Sequence, residues 1–159
     1  MNREQFIKQV ACEQEKLRRF LLALCCGDRD KANDIAQEAL IKAYLSMNRY
    51  RDEGKFGAWL YRIAHNTFLD RHKSQPSLAK IDEADRVEDD SFRADRTFQY
   101  QELYNAIATL PVKERTSILL FYLNGYSIKE ISKIIDCSEV AVKKQLSRGR
   151  EQLKLKIER

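Results

Sequence analysis

The sequence predicts an all-α protein: two small helical domains joined by a flexible acidic linker, with a helix-turn-helix in the C-terminal one. Three observations carry that expectation. One third of the 159 residues are charged while only five are Gly and two Pro, a composition of soluble helical chains rather than β-rich ones. Apolar residues recur at three- and four-residue spacing, and no segment needs to be read as a strand. Charge is also unevenly spread. Residues 1–75 carry 14 Lys and Arg against 10 Asp and Glu, residues 76–109 carry 4 against 8, and residues 110–159 carry 11 against 6. Two basic ends flank an acidic middle.

The elements follow in order. Residues 2–26 are amphipathic, and Gly27 is a suitable stop. Asp28 and Asp30 open a second helix over residues 28–47, because carboxylates suit a helix N-terminus. Residues 48–55 are basic and aromatic, contain Gly54 and read as a loop. A third helix covers residues 56–72. Pro76, Ser74, Ser77, Ser91 and the acidic run Glu88, Asp89 and Asp90 fall in a weakly periodic stretch that reads as a disordered linker. The chain therefore divides into 1–75, a linker at 76–96, and 97–159. A helix over 97–109 comes next, and Pro111 fits the first turn of its successor. Ser127 with Glu130 has capping-box spacing, and Ile128, Ile131 and Ile135 repeat at helical intervals. Asp136 and Cys137 interrupt the pattern. Ser138 can cap a last helix with a buried stripe of Val142, Leu146 and Leu153.

Three surfaces in this scheme bear on function. Outside the stripe of the last helix lie Lys143, Lys144, Ser147, Arg150 and Lys154, which suits a recognition helix offering Lys, Arg and Ser to a DNA major groove. The plainer reading is a helical hairpin with a solvated basic face. The net charge of +5 favours a polyanionic partner without deciding it. In the second helix, Ala32, Ala36, Ala39, Leu40, Ala43 and Met47 form a small-residue core face. Asp34, Glu38, Ile41 and Leu45 share the opposite side. Apolar residues among acids away from the core look like a partner interface, unless a neighbouring helix covers Ile41 and Leu45. The third helix buries Phe56, Leu60, Ile63 and Thr67, and Trp59, Arg62 and Asn66 run along one edge. Arg49, Tyr50, Arg51 and Lys55 lie just upstream. Cations interleaved with rings suit single-stranded nucleic acid, with Tyr50, Phe56, Trp59 and Tyr61 as the rings available. Core packing is the plain alternative for Trp59.

Other function classes find no support. No nucleophile–base set or phosphate loop is present, so no enzyme is expected. Cys12, Cys25, Cys26 and Cys137 form no C-x-x-C pair and read as buried reduced thiols. His65 and His72 lack partners at metal-ligand spacing, so neither a metal nor another cofactor is expected. The chain opens without a signal peptide and has no apolar run near ~20 residues, which predicts a cytoplasmic protein without membrane insertion.

At the level of motifs the chain resembles a known family. Asp34-Ile-Ala-Gln-Glu-Ala-Leu-Ile-Lys-Ala-Tyr44, followed by Phe56-Gly-Ala-Trp-Leu-Tyr-Arg-Ile-Ala-His-Asn66, is similar to region 2 of bacterial RNA polymerase sigma factors. Leu110, Pro111 and Arg115 with the helix-turn-helix resemble region 4. The presence of these two regions alone resembles the extracytoplasmic-function (group IV) class. The resemblance implies a transcription initiation factor that binds core polymerase, through the β′ clamp helices and the β flap, and directs it to promoter DNA. It implies that Asp34, Gln37, Glu38 and Ile41 dock on β′. It places the melted −10 element at Arg49, Tyr50, Lys55, Phe56, Trp59, Arg62 and Asn66, with a flipped base held near Asn66. It gives the −35 duplex to Lys143, Lys144, Ser147 and Arg148, with Lys154 as a phosphate anchor. The linker would thread the polymerase's RNA path. An anti-sigma factor could use the same apolar acidic face as polymerase. One departure stands out: the family's usual Thr-Val-Lys-Ser-Arg-Leu is here Ala141-Val-Lys-Lys-Gln-Leu146, which implies an altered −35 preference. The alternative is a free-standing helix-turn-helix regulator binding operator DNA as a dimer, with residues 1–75 for assembly or sensing. Tight promoter binding without polymerase would favour it.

Overall fold

The computed structural model describes residues 1–50, 55–74 and 97–157, and every regular element among them is helical. Seven α-helices follow in order: α1 (Arg3–Leu24), α2 (Arg29–Leu45), α3 (Phe56–Ser74), α4 (Thr97–Ala108), α5 (Val112–Ile118), α6 (Ile128–Ile134) and α7 (Glu139–Ile157). The expected linker at 76–96 lies outside the described residues, as do Arg51 and Gly54 of the upstream loop.

Local chemistry sets the helix ends. Asn2 and Gln5 form a reciprocal capping box on α1. The helix stops where Cys26 (φ 59°) and Gly27 (φ 87°) both turn left-handed, and the Gly27 amide donates to the Leu22 carbonyl at 2.9 Å. Glycine takes that conformation without steric cost. Asp28 caps α2 by accepting from the Lys31 amide. Ser127 and Glu130 form the anticipated capping box on α6. Ser138 accepts from the Ala141 amide at 3.1 Å in the first turn of α7. Pro111 stands one position outside the helix it was expected to begin, as the N-cap of α5, since its ψ of 155° is extended.

Two helical modules pack side by side. In the first, α2 lies against α1 and α3; in the second, α7 lies against α4, α5 and α6. The small face of α2 (Ala32, Ala36, Ala39 and Ala43) is buried, with Ile35 completing it. Leu40 and Met47 are only partly covered. On α7, Val142 and Leu146 are fully buried and Leu153 is half-buried. Gly149 completes that stripe: a Cβ there would lie 2.6 Å from Ile118 Cγ1, so α5 crosses α7 closely.

The sequence left the relative orientation of the modules open. Here they meet, and their buried residues form one continuous core. α3 rests on α6, and α1 touches α4, α5 and the turn after α5. That turn, Leu119–Leu123, is a single widened π turn closed by the Asn124 amide on the Leu119 carbonyl. Such wide turns re-aim the residues that follow them; here these are Asn124 and Tyr126.

Candidate polymerase and promoter interfaces

The α2 stripe is the first surface. Ile41 is 60% and Leu45 75% exposed, so neither α1 nor α3 covers them. Asp34 and Gln37 are exposed beside them, and Glu38 is partly so. Tyr44 extends the stripe by one more turn, its ring edge-on to Phe6 at 5.5 Å. Leu45 was expected on this face, whereas Tyr44 was not, although it stands i+3 from Ile41. The acids are held in place from α3. Arg71 reaches Glu38 Oε1 at 3.1 Å and Asp34 Oδ2 at 3.8 Å, and Lys42 reaches Glu38 Oε2 at 3.1 Å. Hydrogen bonds from Lys42 and then Arg71 hold the Glu38 carboxyl below its ordinary pKa. The stripe therefore presents ion-paired carboxylates in a fixed arrangement next to bare apolar surface.

The second surface is the outer edge of α3. Arg49, Lys55, Arg62 and Asn66 are exposed and Trp59 is half-buried. The rings are less available than the sequence promised. Tyr50, Phe56 and Tyr61 are all buried. Tyr50, Phe56 and Trp59 pack on one another with centroids 5.0–5.7 Å apart, and Phe6 closes on Phe56. Aromatic packing is worth more than leaving such rings in water, which leaves Trp59 as the ring able to offer part of its surface to a base. Tyr61 belongs to the core: Phe20 stands edge-on at 5.1 Å and Tyr126 at 5.5 Å, and its hydroxyl accepts from Asn124 Nδ2 at 2.8 Å. Burial raises the pKa of both tyrosines.

The third surface is α7. Lys143, Lys144, Ser147, Arg148 and Lys154 all point to solvent. Arg150 is exposed as well but is tied back to the π turn. Its Nε donates to the Tyr122 hydroxyl at 2.6 Å, and its guanidinium lies over the Phe121 and Tyr122 rings. Gln145, one of three positions where the recognition-helix motif departs (with Ala141 and Lys144), turns inward and accepts from the buried Ser117 hydroxyl at 2.6 Å. Lys144 and Arg148 remain beside it as the outward-facing cations.

The remaining titratable groups are structural. His65 is buried, and desolvation lowers its pKa to about 4. His72 stacks on Phe68 at 5.4 Å. Burial pushes the Cys25 thiol up to about 12, which keeps it protonated and inert. Cys12 is exposed rather than buried, because it falls on the outer face of α1. Among the described residues no group of three or more His, Cys, Asp or Glu could hold a metal ion. No helix among them is long and apolar enough to cross a membrane.

The chain that carries these three surfaces matches known proteins. Residues 10–77 match the Sigma-70 region 2 family, and residues 100–153 match the Sigma-70 region 4 family. The chain is 34% identical over 145 residues to the ECF RNA polymerase sigma factor SigW of Bacillus subtilis, covering 82% of this chain and 78% of that protein. It belongs to the ECF sigma factors. The ECF sigma-E factor of Escherichia coli K12 is 30% identical over 139 residues, 79% of this chain and 73% of its own length. Among solved structures, the Bartonella quintana sigma factor RpoE in complex with the anti-sigma factor NepR matches with a TM-score of 0.82 over 98% of both chains, at 23% identity. CnrH in complex with the cytosolic domain of CnrY matches at 0.75 over 99% of this chain and 90% of that one, at 20% identity. Both likenesses concern the fold, and they extend over the two modules together. The ECF sigma factors are promoter-recognising transcription initiation factors for RNA polymerase, and the chain shares that function, with polymerase and promoter DNA as its partners.

Proposed function

We propose that the three surfaces divide the work of initiation. The α2 stripe of Asp34, Gln37, Glu38 and Ile41, extended by Tyr44 and Leu45, docks on the β′ clamp helices. Arg49, Tyr50, Lys55, Phe56, Trp59, Arg62 and Asn66 form the melted −10 site, with Asn66 testing the edge of an extruded base through its amide donors and acceptor. Tyr50 and Phe56 serve as the buried support for Trp59. Lys143, Lys144, Ser147 and Arg148 read the −35 duplex, and Lys154 anchors a phosphate. Residues 1–75 and 97–159 act as the two DNA-reading domains, and 76–96 as their tether in the polymerase's RNA path. The factor has no catalysis of its own and works in the cytoplasm, where polymerase is. An anti-sigma factor is a further partner in this reading, since the Bartonella quintana RpoE of similar fold was captured with one.

The observation that carries this reading is the bare apolar pair Ile41 and Leu45, held among fixed acids on a face that the core does not use. Ile41→Asp removes apolar contact area from that face without opening a cavity in the core. Its melting temperature should stay within a few degrees of wild type, while affinity for core polymerase falls at least about tenfold, as for a central interface residue. Fluorescence-detected titration of core polymerase with labelled factor measures this. Undiminished binding by a folded Ile41→Asp protein would place the interface elsewhere.

A further inference from the structure

Val140, the second residue of α7, is an apolar side chain that the core does not use. It is 61% exposed, although Val142, two residues on, is fully buried. Its direction is fixed from both sides. The Ser138 carbonyl and hydroxyl accept from the Val142 and Ala141 amides at 3.1 Å each, which holds the first turn. The buried Val142 and Leu146 set the rotation of the helix. At ~100° per residue, Val140 then lies about 160° from Val142, and the exposed Lys144 and Ser147 fall within about 60° of one another and of Val140.

Neither folding nor helix formation accounts for a valine there. So exposed a side chain contributes little by burial, and a β-branched residue favours a helix less than alanine does. What the position offers is a methyl-bearing surface in the middle of the face assigned to the −35 duplex. A groove-inserted helix brings its N-terminal residues to the base edges. Among the groups that a major groove presents, the thymine C5-methyl is the apolar one, and the others donate or accept hydrogen bonds. A branched aliphatic side chain recognises that methyl by covering it and excluding water. A cytosine in its place would lose water from its N4 amino group without gaining an acceptor. Lys143, Lys144, Ser147 and Arg148 supply the polar contacts of this face, and Gln145 is withdrawn from it onto Ser117.

We infer that Val140 is a specificity-determining residue that packs on the C5-methyl of a thymine in the −35 duplex. The inference rests on the assignment of α7 to that duplex and adds to it a residue and the base it selects. One helical turn, about 6 Å, separates Val140 from Lys144, which is less than two base steps of about 3.4 Å. The thymine therefore lies within about two base pairs of the position that Lys144 contacts.

The methyl can be removed from the DNA as well as from the protein. Holoenzyme reconstituted from core polymerase and the full-length chain first selects duplexes from a promoter pool randomised over both elements. Each thymine of the selected −35 element, on either strand, is then replaced in turn by deoxyuridine, which lacks only the C5-methyl. At one position the replacement should weaken wild-type binding about threefold. Val140→Ala should weaken binding to the thymine duplex by a similar factor and no longer distinguish thymine from deoxyuridine there. Its melting temperature should stay within a few degrees of wild type, because the side chain is exposed. Deoxyuridine effects that all persist undiminished in the folded variant overturn the inference, as does a selected element in which no deoxyuridine matters. A Val140→Ala protein that loses affinity for core polymerase in the absence of DNA also overturns it, by giving the side chain to a protein contact. Wild-type holoenzyme that selects no −35 sequence would bring down the assignment of α7 itself, and the inference with it.

Discussion

Arg115 and His65 carry charge chemistry into the interior in opposite ways. Arg115 is 4% exposed and stays charged. Its fork donates to the carbonyls of Leu24, Ala108 and Leu110, at and just beyond the C-terminal ends of α1 and α4. Such carbonyls lack partners within the helix and carry the negative end of its dipole. Arg115→Lys keeps the charge but loses the planar fork, so thermal unfolding should report a loss of about 1–3 kcal/mol. An unchanged melting temperature would mean that the three carbonyls find other donors. His65 stays neutral, and its buried Nδ1 has no hydrogen-bond partner among the described residues. Its pKa is about 4 when folded and ordinarily 6.5. Between those values the unfolded chain takes up a proton that the folded chain refuses. The His65 contribution is therefore complete above pH 6.5 and shrinks as pH falls toward 4, by as much as about 3 kcal/mol. Urea titrations at pH 7 and pH 5 should show the wild type losing more stability on acidification than His65→Leu. Equal losses would assign the pH dependence to other groups.

At the scale of elements, periodicity reads correctly wherever one face decides the fold. Ser127 with Glu130, the alanine face of α2 and the Val142–Leu146 stripe are local patterns, and each stands as read. Tyr61 was misplaced, and the tie of the exposed Arg150 was missed, because their surroundings are not local. Tyr61 meets Asn124 from 63 residues away, and Arg150 meets Tyr122 from 28 residues away. Helical spacing specifies the direction of a side chain but not what stands there. The exposure of Ile41 and Leu45 was undecidable from sequence for the same reason. The recognition helix offers the clearest test at this scale. Arg148 and Lys154 are both exposed, but Arg148 stands at the middle of α7, six residues nearer the N-terminal end that a groove-inserted helix uses. Arg148→Ala should cost ~1–3 kcal/mol on the matched −35 sequence and relax preference at one position. Lys154→Ala should weaken all sequences alike and flatten the salt dependence by about one phosphate contact. Competition binding on matched and mutated −35 duplexes, repeated across salt, separates the two. Identical behaviour would mean that the recognition face is wrongly assigned.

For the whole molecule the question is how firmly the two modules hold each other. A short tether gives its two ends an effective concentration on the order of 1 mM. If the separated modules associate with a Kd of about 100 µM, the ratio of packed to parted chains is ~10, or ~1.4 kcal/mol. A submicromolar Kd would raise that to more than about 4 kcal/mol. The described junction combines a continuous apolar core with single hydrogen bonds at Tyr61, Lys133 and Leu24 and the ring contact of Tyr61 with Tyr126. Cleaving the folded chain at a specific-protease site inserted between Ala84 and Asp85 converts closure into a bimolecular equilibrium. Analytical ultracentrifugation should find the two pieces together at several hundred micromolar and apart at a few micromolar. Pieces that never associate would leave closure to the tether alone. Pieces still joined at nanomolar concentration would make the packed body the permanent form.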